Sequence, residues 1–132
     1  MVKLEDIDAV EKILDTGYVG YAYVYPEPDQ PRKEYMLSTT PENLANFIGS
    51  QGAAAKQIMV TDMLDRSIVD TRMGIVNDCP DQKLCRELVG RLALIQMGEK
   101  EAGPVLSVER DVADQYFALE DQAVTMAELM MC

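Results

Sequence analysis

The chain has 132 residues, 48% of them apolar and 27% charged, with 23 acids against 12 bases for a net charge of −11, and it contains no histidine. That balance rules against a disordered chain, and a domain of this size buries roughly two-thirds of its unfolded surface without a disulfide or a metal to help it. The dispersed bases and acidic excess argue against direct contact with nucleic acid or anionic membrane, and without histidine the Ser-His-Asp and Cys-His schemes are excluded.

Leu4, Ile7, Val10, Ile13 and Leu14 recur at helical spacing with acids between them, and Gly17 follows as a stop, so residues 3–15 are expected to be an amphipathic helix. From Tyr18 to Tyr25 the aromatic and β-branched content predicts a strand, with Tyr21, Tyr23 and Tyr25 alternating onto one face. Prolines at 26, 28 and 31 break it, and Glu34 to Ser38 resumes as the second strand of a hairpin. Thr39-Thr40-Pro41-Glu42 then carries a cap residue, a first-turn proline and an acid, which predicts a helix ending at Gly49. The apolar runs 57–63 and 67–71, flanking Leu64-Asp65-Arg66, predict a second hairpin.

Pro80 opens a helix to about residue 97 with Leu84, Cys85, Leu88, Leu92 and Ile95 on one stripe, and 99–104 is a loop. From Val108 a last helix of about 20 residues carries Val112, Tyr116, Leu119, Ala123, Met126 and Met130 at alternating four- and three-residue spacing. The resulting order is α-β-β-α-β-β-α-α. Short turns between neighbours imply an α+β fold in which a four-stranded antiparallel sheet, made of two hairpins, has its helices packed on one face, all within a single domain spanning 1–132.

Residues able to carry chemistry are few. Gly49-Ser50-Gln51-Gly52 lacks the Gly-Lys-Ser/Thr of a phosphate loop, and no dinucleotide fingerprint occurs, so no cofactor is expected. Asp62, Asp65 and Asp70, with Asp78 and Asp81 close behind, are the carboxylates that would form a divalent-metal site for phosphoester chemistry if their strands converge. Asp65 equally suits a hairpin tip and Asp81 a helix start, and the structural reading outweighs the metal one. Cys79, just before a helix N-terminus, sits where a dipole lowers a thiol pKa, but no histidine is present to act as its base, and a structural or incidental cysteine is the favoured reading. Acidic first residues, the lack of an 18-residue apolar run and three cysteines (Cys79, Cys85, Cys132) without CxxC spacing together point to the cytoplasm.

Tyr21, Tyr23 and Tyr25 have two readings: a recognition surface of rigid amphipathic side chains, or one sheet face packed under helices. Tyr116, Leu119, Ala123, Met126 and Met130 are likewise either a core-facing stripe or a seam through which two copies pair as a homodimer. The stretches Tyr35-Met36-Leu37-Ser38-Thr39-Thr40-Pro41-Glu42 and Met59-Val60-Thr61-Asp62-Met63-Leu64-Asp65-Arg66 are similar to small uncharacterised proteins of gut Gram-positive anaerobes and their mobile elements. That resemblance covers about a third of the chain, implies no activity and transfers no site residue; it points toward an accessory role. The expected function is therefore a non-enzymatic protein-interaction or regulatory module whose partner is another protein, a basic one by charge. The alternatives are a metal-dependent carboxylate enzyme and a small-molecule binding domain.

Overall fold

The computed structural model describes residues 3–27 and 29–119. Its core is a six-stranded, wholly antiparallel sheet in the order β5-β4-β3-β1-β2-β6, built from β1 (Val19–Tyr25), β2 (Lys33–Ser38), β3 (Gln57–Asp62), β4 (Ser67–Arg72), β5 (Ile75–Asp78) and β6 (Ser107–Glu109). The helices are α1 (Leu4–Asp15), α2 (Pro41–Gln51) and α3 (Gln82–Gln96), with a 3₁₀ turn at Gly52–Ala54 and a further helix, α4, from 110, described to 119. No described helix is long and apolar enough to cross a membrane.

The expected four-stranded sheet is thus corrected to six strands, although both hairpins form and β1 and β3 join them edge to edge. The two missed strands have physical reasons. β5 is four residues long and mostly exposed, so it carries no alternation, and its turn from β4 runs through Met73 (φ 54) and Gly74 (φ 79), where methionine is an unusual left-handed residue. β6 has three residues and one buried side chain, Val108, and pairs with β2 from far along the chain. The last predicted helix accordingly begins at 110 rather than 108.

The helices also lie on both faces, not one. β1 alternates cleanly: Gly20, Ala22 and Val24 are buried toward one side, Val19, Tyr21, Tyr23 and Tyr25 half-buried toward the other. On the first face, Ala22, Val24, Leu37, Ile58, Val60 and Val69 pack under Leu44, Ala45, Phe47 and Ile48 of α2 and Leu88 and Leu92 of α3. On the second, Met36 and Val108 pack under Val10 and Ile13 of α1 and Ala113 and Tyr116 of α4, with Val19 and Tyr21 at the margin. This second cluster sits over β1, β2 and β6 because β6, the added edge strand, carries α4 directly from its end.

Local chemistry starts α2 and α3 as the sequence dictates, whereas Lys3 before α1 makes no side-chain cap. The Thr40 hydroxyl accepts from the Asn43 N–H (3.3 Å) with Pro41 following it, and the Asp81 carboxylate accepts from the N–H groups of Lys83 (3.0 Å) and Leu84 (3.1 Å). α2 carries two buried amides, Asn43 and Asn46, that tie the 97–106 connection to its flank.

Candidate functional site

Antiparallel pairing brings four chain connections to one end of the sheet. β1 starts, β2 and β3 end and β4 starts there, with Val19 opposite Ser38, Gly20 opposite Asp62 and Thr61 opposite Ser67. β5 finishes at the same end, so α2 and α3 both begin there. Between these segments lies a cleft of about 630 Å³. Its apolar walls are Val19, Pro41, Ile68, Pro80 and Leu84; Tyr18, 64% exposed, stands at its rim; Asp62, Asp81, Lys83 and Glu87 supply its charge. The volume is within the range of small-molecule sites, but the lining is a mixture of surface side chains and not an enclosed apolar chamber.

Two helix N-termini facing one cleft would ordinarily attract an anion. Here Thr40 already accepts from the Asn43 N–H, and the Asp81 carboxylate, itself an anion, from those of Lys83 and Leu84. Asp62 is also occupied: it accepts from the N–H groups of Leu64 (2.8 Å) and Arg66 (2.9 Å) and from Arg66 Nε (2.7 Å). The Arg66 and Leu64 amides, with the Arg66 guanidinium, hold its carboxyl below the usual carboxylate value. Glu87 and Lys83, both exposed, make no ion pair among the described residues; Asp81 makes none either but caps α3.

The carboxylates named from the sequence do not come together. Asp62 lies on the α2–α3 side, Asp65 at the exposed tip of the β3–β4 turn with φ 61, and Asp70 on the opposite face, opposite Met59, where Gln57 (3.0 Å) and Asn77 (3.1 Å) donate to it. Among the described residues no group of three or more cysteines and carboxylates could hold a metal ion.

Cys79 departs from the expectation of a lowered pKa. Burial pushes its thiol up to about 11, and the neighbouring Cys85 thiol, Asp81 and Asp78 push the same way. The Asp81 carboxylate that caps the helix two residues on opposes the dipole at this end.

The tyrosine row lies on one face, as alternation predicts, but internal cations occupy it. The Arg110 guanidinium lies 4.6 Å from the Tyr21 ring centre and Arg32 4.9 Å from that of Tyr23. Arg110 donates to the Tyr23 hydroxyl (3.4 Å), and Glu34 bridges both cations, 3.0 Å from Arg32 and 3.4 Å from Arg110. Tyr25 hydrogen-bonds Arg32 and, ahead of the effect of Glu34, raises its pKa. Burial raises the Tyr21 hydroxyl pKa, against the opposing pull of Arg110.

Of the C-terminal seam, Tyr116 is 8% exposed within the second-face cluster and Leu119 is 49% exposed; Ala123, Met126 and Met130 lie outside the described residues. Sequence reasoning missed the cleft itself, whose lining, Tyr18, Ile68, Leu84 and Glu87, is far apart along the chain. A signal was present: with two hairpins paired antiparallel, both helix-start motifs must fall at one end. Comparison with family models, curated proteins and solved structures returns no match for this chain.

Proposed function

We propose that this protein is a non-enzymatic interaction module that uses the cleft at the shared helix-start end to hold a basic segment of another protein. The observation supporting this is the composition of the cleft: apolar walls of Val19, Pro41, Ile68 and Leu84, an exposed aromatic rim at Tyr18, and three carboxylates against one lysine. An aromatic or aliphatic anchor of the partner fills the apolar floor, and a lysine or arginine next to it meets Glu87 at the edge. The net charge of −11 adds long-range steering toward such a partner. Acid–base chemistry has no support in the cleft, since Asp62 and Asp81 are committed to turn and cap hydrogen bonds. A role in the cytoplasm agrees with the unpaired state of Cys79 and Cys85.

The test is selection of a random peptide library on the folded protein. Enrichment of sequences pairing a basic residue with an apolar anchor is expected, with binding weakened about ten-fold or more by Tyr18→Ala or Glu87→Lys and by raised salt. Selected peptides without basic residues, or binding indifferent to both substitutions, would overturn the proposal.

A further inference from the structure

Residues 63–66 join β3 to β4, and polar groups set the shape of this turn. The Asp62 N–H donates to the Arg66 carbonyl at 2.9 Å and the Asp65 N–H to the Asp62 carbonyl at 3.1 Å. The Asp62 carboxylate gathers the Leu64 and Arg66 N–H groups and Arg66 Nε. Asp65 takes a left-handed conformation (φ 61), which an aspartate tolerates better than a bulky residue does. None of these bonds involves the side chain of Met63 or Leu64, and both side chains are exposed, by 52% and 72%. Single exposed apolar residues are ordinary on a surface. These two are consecutive, stand where a tight turn usually carries polar residues, and sit on a backbone held in place without them. They are also bracketed by Asp62 and Ser67, both of which line the cleft. Tyr18, at the cleft rim, lies at the same end, two residues before Gly20, the partner of Asp62.

We propose that Met63 and Leu64 are a second docking element, an apolar knuckle that packs against leucine-, methionine- or phenylalanine-type side chains of the same partner segment whose basic part enters the cleft. The inference rests on the docking reading of the cleft for the choice of partner, and on the turn itself for the contact. Because the turn is already ordered, a partner that covers Met63 and Leu64 costs the backbone there little further freedom, and more of the buried area appears as affinity. The unbranched methionine adapts to the shape it meets, and the leucine beside it supplies a fixed anchor. The exposed Asp65 carboxylate at the same tip favours a segment with basic residues over an acidic one.

The probe is the set of peptides selected from a random library on the wild-type chain. Their affinities are measured for the wild type, for the double variant Met63→Ser/Leu64→Ser, for Tyr18→Ala and for Glu87→Lys, together with the thermal unfolding of each protein. The selected peptides are expected to carry an apolar residue separate from the anchor beside their basic residue. The double variant should unfold at the wild-type temperature and bind about ten-fold more weakly. Alanine at that separate apolar residue should weaken binding to the wild type and cause no further loss on the double variant, since the two changes remove one contact. Peptides lacking the separate apolar residue, or binding the double variant as tightly as the wild type, would overturn the inference; the cleft reading survives that result if Glu87→Lys still weakens them. A lower unfolding temperature for the double variant would also overturn it, by showing that these side chains serve the fold. Peptides sensitive to the double variant but indifferent to Tyr18→Ala and Glu87→Lys would retain the knuckle and remove the cleft reading.

Discussion

The side-chain amide of Asn43 reads the backbone of Leu106 on both sides: its Oδ1 accepts from the Leu106 N–H at 2.8 Å and its Nδ2 donates to the Leu106 carbonyl at 3.1 Å and to that of Ser38 at 2.7 Å. A buried residue of α2 thereby joins the end of β2 to the approach of β6, spanning 63 positions of sequence. Without it, the Leu106 N–H and the Ser38 carbonyl lose this partner, while the Leu106 carbonyl keeps the Ser38 N–H at 3.2 Å.

Replacing Asn43 by alanine is therefore expected to cost about 2–4 kcal/mol, because the penalty is that of unmatched buried donors and acceptors and not only of lost bonds. Chemical denaturation measures it. A cost within the scatter of surface substitutions would show that the junction accepts water.

At Gly20 the backbone of β3 approaches too closely for a side chain. A Cβ there would press on the Thr61 carbonyl oxygen and stand 2.7 Å from Thr39 Cγ2. Backbone cannot yield as a flexible side chain does, so Gly20→Ala should destabilise by about 2–3 kcal/mol, against the usual gain from replacing a strand glycine. Thermal unfolding of the variant tests the sign.

Thr71 offers the opposite case. Its side chain is fully buried beside Ile58, and its hydroxyl has no partner among the described residues. Thr71→Val removes an unmatched polar atom with little change of shape and is expected to stabilise by about 1 kcal/mol. A loss of stability would reveal a hydrogen bond the hydroxyl makes elsewhere.

The legible parts of this fold were those where local and tertiary signals agree. Thr40-Pro41-Glu42 names the start of α2 whatever lies around it, and the period-two tyrosines of β1 specify its faces. What stayed hidden depends on long-range pairing. β6 has three residues and is recognisable as a strand only once β2 offers Met36 opposite Val108. α4 consequently starts two residues later and crosses to the second face, which no periodicity could report. The tyrosine row was placed correctly on one face, but its partners Arg32 and Arg110 are 78 residues apart in sequence, so the cation stacking that occupies Tyr21 and Tyr23 could not be read from spacing. Cys79 illustrates an expectation overturned chiefly by burial: the dipole argument omits the desolvation of the thiol and, after it, the neighbouring Cys85, Asp81 and Asp78.

The β3–β4 turn should show a pH dependence of defined sign. Asp62 has a folded pKa lowered below its ordinary 3.8 through its bonds to the Arg66 and Leu64 amides and to the Arg66 side chain. A lowered carboxyl pKa stabilises the folded state above the unfolded value, and the stabilisation is lost as pH falls through the folded one. Asp62→Asn is expected to be less stable than wild type near neutrality, with the gap closing as the solution is acidified below the ordinary carboxyl range. Denaturation midpoints of the two proteins across that range measure it; a gap constant with pH would place the stabilisation in the turn's shape and not in its charge.

The two described members of the C-terminal stripe occupy different environments, and that difference separates core from surface on one helix. Tyr116 is buried among Val10, Ile13, Met36 and Ala113 and makes an edge-to-face contact with Phe117 at 5.5 Å, whereas Leu119 is 49% exposed. Tyr116→Glu puts a charge into the second-face core and is expected to unfold the chain. Leu119→Glu should leave it folded, with a stability change of about 0.5 kcal/mol or less. If the stripe beyond Tyr116 pairs two copies, wild type sediments as a dimer at high concentration and Leu119→Glu as a monomer, since a half-exposed leucine facing its twin cannot be exchanged for two carboxylates. We expect that shift. A wild type that remains monomeric at high concentration would remove the pairing and leave Leu119 a surface leucine with Tyr116 as its anchor to the core.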